Sequence, residues 1–184
     1  ARFKGELAKP AQTTRSSNSV CQLDRGGYVI DTVSKAQNCF KDNYRARGGT
    51  AIRDALKKAI TDIEEQIKTG KRDSKERVVV ALITDGADTD SRTTFEEINA
   101  LVQSKRKLGW DFFFLGTQDA NAVGIAEKMG IPEIQAATYA KVEDGVKLLS
   151  DKVSEARKKG NDKPLAITST ERLALAAGSY KKEL

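Results

Sequence analysis

Thr50 and Asp85 are the residues of this 184-residue chain best placed to do chemistry. Thr50 follows Arg47-Gly48-Gly49, where a glycine pair lets the backbone turn tightly, and it stands where a helix is expected to start. Asp85 follows the wholly apolar run 78–83 and Thr84, and is itself followed by Gly86. Helix start and strand end together aim a hydroxyl and a carboxylate at one edge of a sheet. Both are hard oxygen donors, suited to Mg²⁺, Mn²⁺ or Ca²⁺ rather than to softer metals. Two protein oxygens leave most of a six-coordinate shell to water or to a partner, so binding by this chain alone is expected to be weak or absent. The same residues also have plain structural uses, Thr50 as a helix N-cap and Asp85-Gly86 as a turn.

Other chemistry is largely excluded by what the chain lacks. It contains no histidine and two cysteines, Cys21 and Cys39, which removes histidine-dependent triads and most zinc sites. The cysteines are expected as free thiols, with one disulfide between them as the alternative. Gly48-Gly49-Thr50 lacks the lysine of a phosphate-binding loop. Asp88-Thr89-Asp90-Ser91 is only superficially like an aspartyl-phosphate motif, since it lies in the loop after a strand rather than against the strand's end. The run Asp85-Gly86-Ala87-Asp88-Thr89-Asp90 does not have EF-hand spacing, with Asp90 where that loop needs its glycine. These carboxylates are expected in a solvated loop. No catalytic residue is assigned, and the chain is expected to be noncatalytic.

The elements that must position Thr50 and Asp85 alternate along the chain. A strand is expected around Tyr28-Val29-Ile30. A helix from Thr50 presents Ile52, Leu56, Ala59, Ile60, Ile63 and Ile67 on one face and stops at Gly70. The apolar run 78–83 reads as a strand buried on both faces. A helix opening at Thr93 or Thr94 carries Phe95, Ile98, Leu101, Val102 and Leu108. A second buried strand, 110–115, runs into Gly116-Thr117-Gln118-Asp119. A short helix at 121–129, a strand at 134–139, a helix at 142–158 and a weak helix at 171–177 complete the pattern. Strand and helix in alternation imply right-handed crossovers and a mainly parallel, doubly wound α/β sheet with helices on both faces, in three layers. Sites in such folds lie at the carboxyl ends of the strands. Asp85, Asp88, Asp90, Thr117, Gln118 and Asp119 therefore share one rim, which Thr50 can reach.

Arg47 to Thr50, the apolar run 78–83, Thr84-Asp85-Gly86, and Gly109-Trp110 through Gly116 resemble, in order and spacing, the von Willebrand factor A (vWA) family, closest to its bacterial and phage-type members. The likeness spans residues 28–159. It implies a Rossmann-like fold and a metal-ion-dependent adhesion site to which Thr50 and Asp85 contribute. The family's Asp-x-Ser-x-Ser motif, which follows its central strand, is not found in this chain. The resemblance thus implies a central strand that is missing, degenerate or supplied by another chain. Tyr28-Val29-Ile30-Asp31 is the internal candidate, with Asp31 as a further metal carboxylate. It also implies a noncatalytic protein-interaction module with an incomplete metal site, whose partner completes the ion's shell and meets the rim of Asp88, Asp90, Thr117, Gln118 and Asp119.

Charge suggests a second role. Residues 1–47 hold nine Lys/Arg against four Asp/Glu, most of the net +6. Residues 1–26 read as a basic polar arm or long loop, 27–159 as the domain and 160–184 as a tail. Such an arm suits nucleic acid or an acidic protein face. The alternative role is therefore a structural subunit of a larger assembly, a ribonucleoprotein or phage particle, in which homo- or hetero-oligomeric contacts supply a strand. No run of 18 apolar residues is present, so no membrane partner is expected and a soluble, intracellular setting is favoured. The terminal Lys181-Lys182-Glu183-Leu184 is a chance likeness to a retention tail.

Overall fold

A computed structural model describes residues 19–24, 27–32, 50–75, 77–117, 121–159 and 164–181. The order is β1 (Ser19–Asp24), β2 (Gly27–Thr32), α1 (Ile52–Lys68), β3 (Val79–Thr84), α2 (Phe95–Arg106), β4 (Asp111–Gly116), α3 (Ala122–Lys128), a 3₁₀ turn (Glu133–Gln135), β5 (Ala136–Thr138), α4 (Val142–Lys159) and α5 (Ser169–Ala176). β3, β4 and β5 form a parallel sheet in that order, with Val79 level with Asp111 and Phe114 level with Ala136. The α/β class expected from alternation is thus present.

β4 organises the sheet because every one of its residues is buried. Side chains alternate across a strand, so Phe112 and Phe114 face one way and Phe113 and Leu115 the other. The first pair joins Ile52, Leu56 and Ile60 of α1, Ile98 and Val102 of α2, and Ala122 and Ala126 of α3 in one core. The second joins Leu148, Leu149 and Ala156 of α4, Leu175 of α5, and Leu165, Ile167 and Tyr180 in another. Burying a phenylalanine or leucine side chain stabilises by roughly 1.5–3 kcal/mol. Three consecutive phenylalanines, all at 0% exposure, therefore hold both helical layers to the sheet.

Where β4 begins, Asp111 is buried among polar partners. Its Oδ2 accepts from Arg77 Nε at 2.8 Å and lies 2.7 Å from Arg77 Nη2, while Oδ1 accepts from Gln135 Nε2 at 2.8 Å and from the Leu165 N–H at 3.0 Å. Gln135 Nε2 also donates to the Leu165 carbonyl at 2.9 Å. One carboxylate thus joins the entry to β3, the turn before β5 and the segment after α4.

Several expectations are corrected. β3 is not buried on both faces: Ala81 is exposed and Ile83 is 38% exposed, because β3 pairs only with β4 and is an edge strand among the described residues. Tyr28-Val29-Ile30-Asp31 does not take the central place beside β3. It belongs to β2, antiparallel to β1 in a separate two-stranded sheet, with Asp31 opposite Val20. Leu108 is 70% exposed, since α2 ends at Arg106 and the chain turns at Gly109, which has φ +85°. β5 is shorter than the expected 134–139 because a 3₁₀ turn occupies 133–135. The segment expected as a tail packs into the second core through Leu165, Ile167, Leu175 and Tyr180. Its helix starts earlier than expected, at Ser169, behind a capping box between Thr168 and Glu171.

Replacing Asp111 with alanine removes the buried carboxylate that pairs with Arg77 and leaves the Leu165 N–H without its acceptor. Breaking a buried pair in this way costs about 3–5 kcal/mol. Urea denaturation of Asp111→Ala should show a loss of that order, and a loss below 1 kcal/mol would remove Asp111 from this structural role.

Candidate functional site at the Thr50 and Asp85 rim

The loop 85–93 is folded onto the start of α1 by paired backbone and carboxylate contacts. The Thr50 N–H donates to Thr89 Oγ1 at 2.9 Å, and the Thr50 carbonyl accepts from the N–H groups of Thr89 at 2.9 Å and Asp90 at 3.0 Å. Thr50 is not the helix N-cap: Ala51 holds that position and supplies no side-chain cap. The open N–H groups of the first turn are satisfied from the facing loop instead. The Arg53 N–H donates to Asp88 Oδ2 at 3.1 Å and to Ser91 Oγ at 3.0 Å, and the Asp54 N–H donates to Ser91 Oγ at 3.3 Å. An exposed turn of water-satisfied donors becomes a fitted joint between two loops.

Two carboxylates lock that joint. Asp88, with only 5% of its side chain exposed, accepts from Arg53 Nε at 2.8 Å and from the Ser91 N–H at 3.1 Å. The Arg53 guanidinium also lies 4.4 Å from the centre of the Phe95 ring. Asp54 reaches the other way, accepting from the N–H groups of Arg92 at 2.9 Å and Thr93 at 2.8 Å, just before α2. Burial pushes the Asp54 carboxyl up, but the hydrogen bonds from Thr93 and Arg92 and the nearby Arg53 charge outweigh it and hold the group below its ordinary value of 3.8. Asp88 is therefore not the solvated rim carboxylate expected, because the Arg53 ion pair takes it into the joint.

Thr50 lies beside the residue that follows Asp85, on the rim above this joint. The Thr50 hydroxyl oxygen lies 4.0 Å from the point a Cβ on Gly86 would occupy, which puts it beside the residue that follows Asp85. Thr50 is half-buried and Asp85 exposed. Thr117 Oγ1 donates to the Asp85 carbonyl at 3.3 Å, drawing the end of β4 to the same place. Tyr139, after β5, donates its hydroxyl to the Thr84 carbonyl at 3.0 Å. Burial first, and the negative charge of Asp85 second, push that phenol above its ordinary value of 10.0. The carboxyl ends of β3 and β4 and the exit from β5 thus converge on Thr50 and Asp85. Asp90 is half-buried, with its N–H used by Thr50, and Gln118 and Asp119 lie outside the described residues. Asp31, in β2, is not brought to the rim by any strand pairing.

Among the described residues, no group of three or more His, Cys, Asp or Glu side chains is assembled to hold a metal ion. The local donor set is the hydroxyl of Thr50 and the carboxylate of Asp85, which fits a hard divalent cation in kind and falls short in number. Arg53 and Asp54 lie in the first turn of α1, just after Gly48-Gly49-Thr50, and charged residues at the start of an otherwise apolar-faced helix were the available signal for them. A cleft of about 760 Å³ opens elsewhere, between α4, α5 and Tyr180, and is lined by Asp151, Glu155, Glu171 and Lys152. It shares no residue with the rim. No helix among the described residues is long and apolar enough to cross a membrane. The chain matches no protein-family model and no curated protein sequence.

Asp54→Ala should destabilise the fold by about 0.5–1.5 kcal/mol at neutral pH, since two backbone donors exchange its carboxylate for water. The folded-state pKa is lowered, so the carboxylate's contribution is present above 3.8 and lost as pH falls through the folded value. The gap between wild type and variant in urea midpoint should be widest at neutral pH and shrink below pH 3.8. A gap independent of pH would remove the charge from the explanation.

Proposed function

We propose that this chain is a noncatalytic, vWA-type protein-interaction module whose binding surface is the Thr50 and Asp85 rim. The observation that carries the reading is the convergence of the Thr50 hydroxyl on the residue next to Asp85, at the carboxyl ends of parallel strands. Parallel α/β sheets bind ligands at that end, where loops rather than strand pairings dictate what is displayed. The loop is tied to the start of α1 from below by Asp88 and Asp54, which supports Thr50 and the backbone at Asp85 independently of a ligand.

Thr50 and Asp85 would hold a Mg²⁺, Mn²⁺ or Ca²⁺ ion, and the ion would supply a positive point at which a partner's carboxylate can bind. Carboxylates already used by the joint do not compete for the ion: Asp88 is paired with Arg53, and both oxygens of Asp54 accept backbone hydrogen bonds. The partner's oxygen makes up part of the shell, so ion and partner bind with mutual reinforcement. Each raises the other's affinity by the same factor.

The test is Mn²⁺ binding followed by electron paramagnetic resonance, with Mg²⁺ as competitor. Thr50→Ala and Asp85→Ala should each weaken binding by roughly 10–100-fold, as removal of a supporting group does in metal sites. Asp90→Ala should have a smaller effect. Equal affinity in wild type, Thr50→Ala and Asp85→Ala would discard the metal part of the reading.

A further inference from the structure

The amino ends of β3 and β4 lie at the cationic end of the sheet. Helices that cross back over a parallel sheet finish where the next strand begins, so α1 ends beside the start of β3 and α2 beside the start of β4. The two starts are adjacent: the Asp111 N–H donates to the Val78 carbonyl at 2.9 Å, and Lys105 of α2 pairs with Glu64 of α1. Around them lie Lys68, Lys71, Lys75 and Lys107, all exposed, and Arg72 and Arg106, both half-buried. Among the described residues of 64–75 and 105–111, Glu65 and Asp73 are the exposed carboxylates set against these cations, because Glu64 and Asp111 are taken by Lys105 and Arg77. α4 finishes shortly before Leu165, whose N–H reaches Asp111, so its terminal sequence Arg157-Lys158-Lys159 comes to the same end of the sheet.

Part of this charge has a local use and part has none. Basic residues in the last turn of a helix offset its dipole, which accounts for Lys68, Lys105 and Arg106, but the effect fades beyond that turn. Lys71 and Lys75 lie in the loop after α1, and Lys107 lies past the end of α2. These three, with Lys68, make no ion pair among the described residues. The rest of the chain does not supply the counter-charge, since residues 1–47 hold nine Lys/Arg against four Asp/Glu. A second copy brings the same net +6, and the acidic rim of such a copy offers little, because Asp88 is taken by Arg53 and Asp54 by backbone N–H groups. The counter-charge therefore belongs to a different molecule.

We infer that this surface, at the end of the sheet opposite the Thr50 and Asp85 rim, binds the phosphate backbone of a nucleic-acid duplex without reading its sequence. Phosphate contacts come from Lys, Arg, Ser and Thr side chains and from backbone N–H groups, and the loop after α1 offers Thr69 and Ser74, both exposed, among its lysines. No exposed aromatic side chain accompanies them among the described residues, so the stacking platform that holds single strands is not part of this surface. Leu108 is the one large apolar side chain exposed in these two loops, whereas attachment to a bilayer joins charge to a buried apolar face. Each lysine that meets a phosphate releases a counterion, so the affinity is steeply dependent on salt. The contact requires no metal.

The probes are fluorescein-labelled DNA and RNA duplexes of about 20 base pairs, titrated with the full chain in EDTA and read by anisotropy across a salt series. The test variant is Lys71→Gln/Lys75→Gln/Lys107→Gln, and its urea midpoint should match wild type because all three side chains are exposed. The slope of log affinity against log salt should flatten by about 3, one for each lysine, with affinity at low salt at least tenfold weaker. Lys4→Gln/Lys9→Gln/Arg15→Gln is the comparison and should lose less. That pattern with either duplex supports the inference, and the ratio of the two affinities tells DNA from RNA as the source. Equal slopes for wild type and the test variant, or a loss confined to the comparison variant, would overturn it. So would polyglutamate competing as well as unlabelled duplex, which would give the surface to an acidic protein, or tighter binding to phosphatidylserine vesicles than to either duplex, which would give it to a membrane. A salt-sensitive doubling of mass without any probe would give it to a second copy and overturn it likewise. Because the titration contains no metal and alters no rim residue, its failure and the failure of the Mn²⁺ reading are separate results.

Discussion

The ion pair of Asp111 with Arg77 is the constraint on which the rest of the fold depends, because it makes a carboxylate acceptable at the entry to a strand that is otherwise entirely apolar. A buried charge is tolerated only with close partners and satisfied lone pairs, and Asp111 has a bidentate guanidinium on one oxygen and two N–H donors on the other. Those partners come from three different parts of the chain. The consequence is registry: β4 cannot slide against β3, nor the turn at 133–135 move from the segment after α4, without stranding a charge. Above this point, the alternation of Phe112 to Leu115 distributes apolar surface to the two helical layers.

A second use of carboxylates governs the opposite end of the sheet. Asp54 and Asp88 are engaged in ways that exchange no ligand: they tie the first turn of α1 to the loop after β3 and hold that loop against the start of α2. The rim thus separates its acidic residues by role. Those that build the loop are half-buried and multiply bonded, whereas Asp85 stands exposed at its crest. The residues that tie the loop down are thus distinct from the one that stands open to solvent above it.

Much of this organisation was legible in the residues. The 3.6-residue spacing of Ile52, Leu56 and Ile60 identified α1, and the apolar runs 78–83 and 112–115 identified β3 and β4. The convergence of Thr50, Asp85 and Thr117 followed from the rule that parallel strands end on a common side. What could not be read was pairing. An apolar run looks the same in the middle of a sheet and at its margin, so the exposure of Ala81 and Ile83 and the separate antiparallel pairing of Tyr28 to Asp31 carried no local signal. Asp88 was misjudged for a related reason: its partner Arg53 is 35 residues away in sequence, and acidic loops are solvated unless such a partner arrives. The last segment was underrated because Leu165, Ile167, Leu175 and Tyr180 are too sparse to show a period, although each reaches the core.

The bond from the Leu165 N–H to Asp111 spans 54 residues, and this has a bearing on how the chain is born. A ribosome delivers Asp111, with Arg77 already in reach, well before it delivers Leu165. At about 5–20 residues per second, the carboxylate waits roughly 3–11 s for its last donor. During that interval the face of β4 that carries Phe113 and Leu115 also lacks Ile167, Leu175 and Tyr180. The nascent chain therefore passes through a stage with one layer closed and the other open, until Leu165 and the residues after it arrive to seal the sheet.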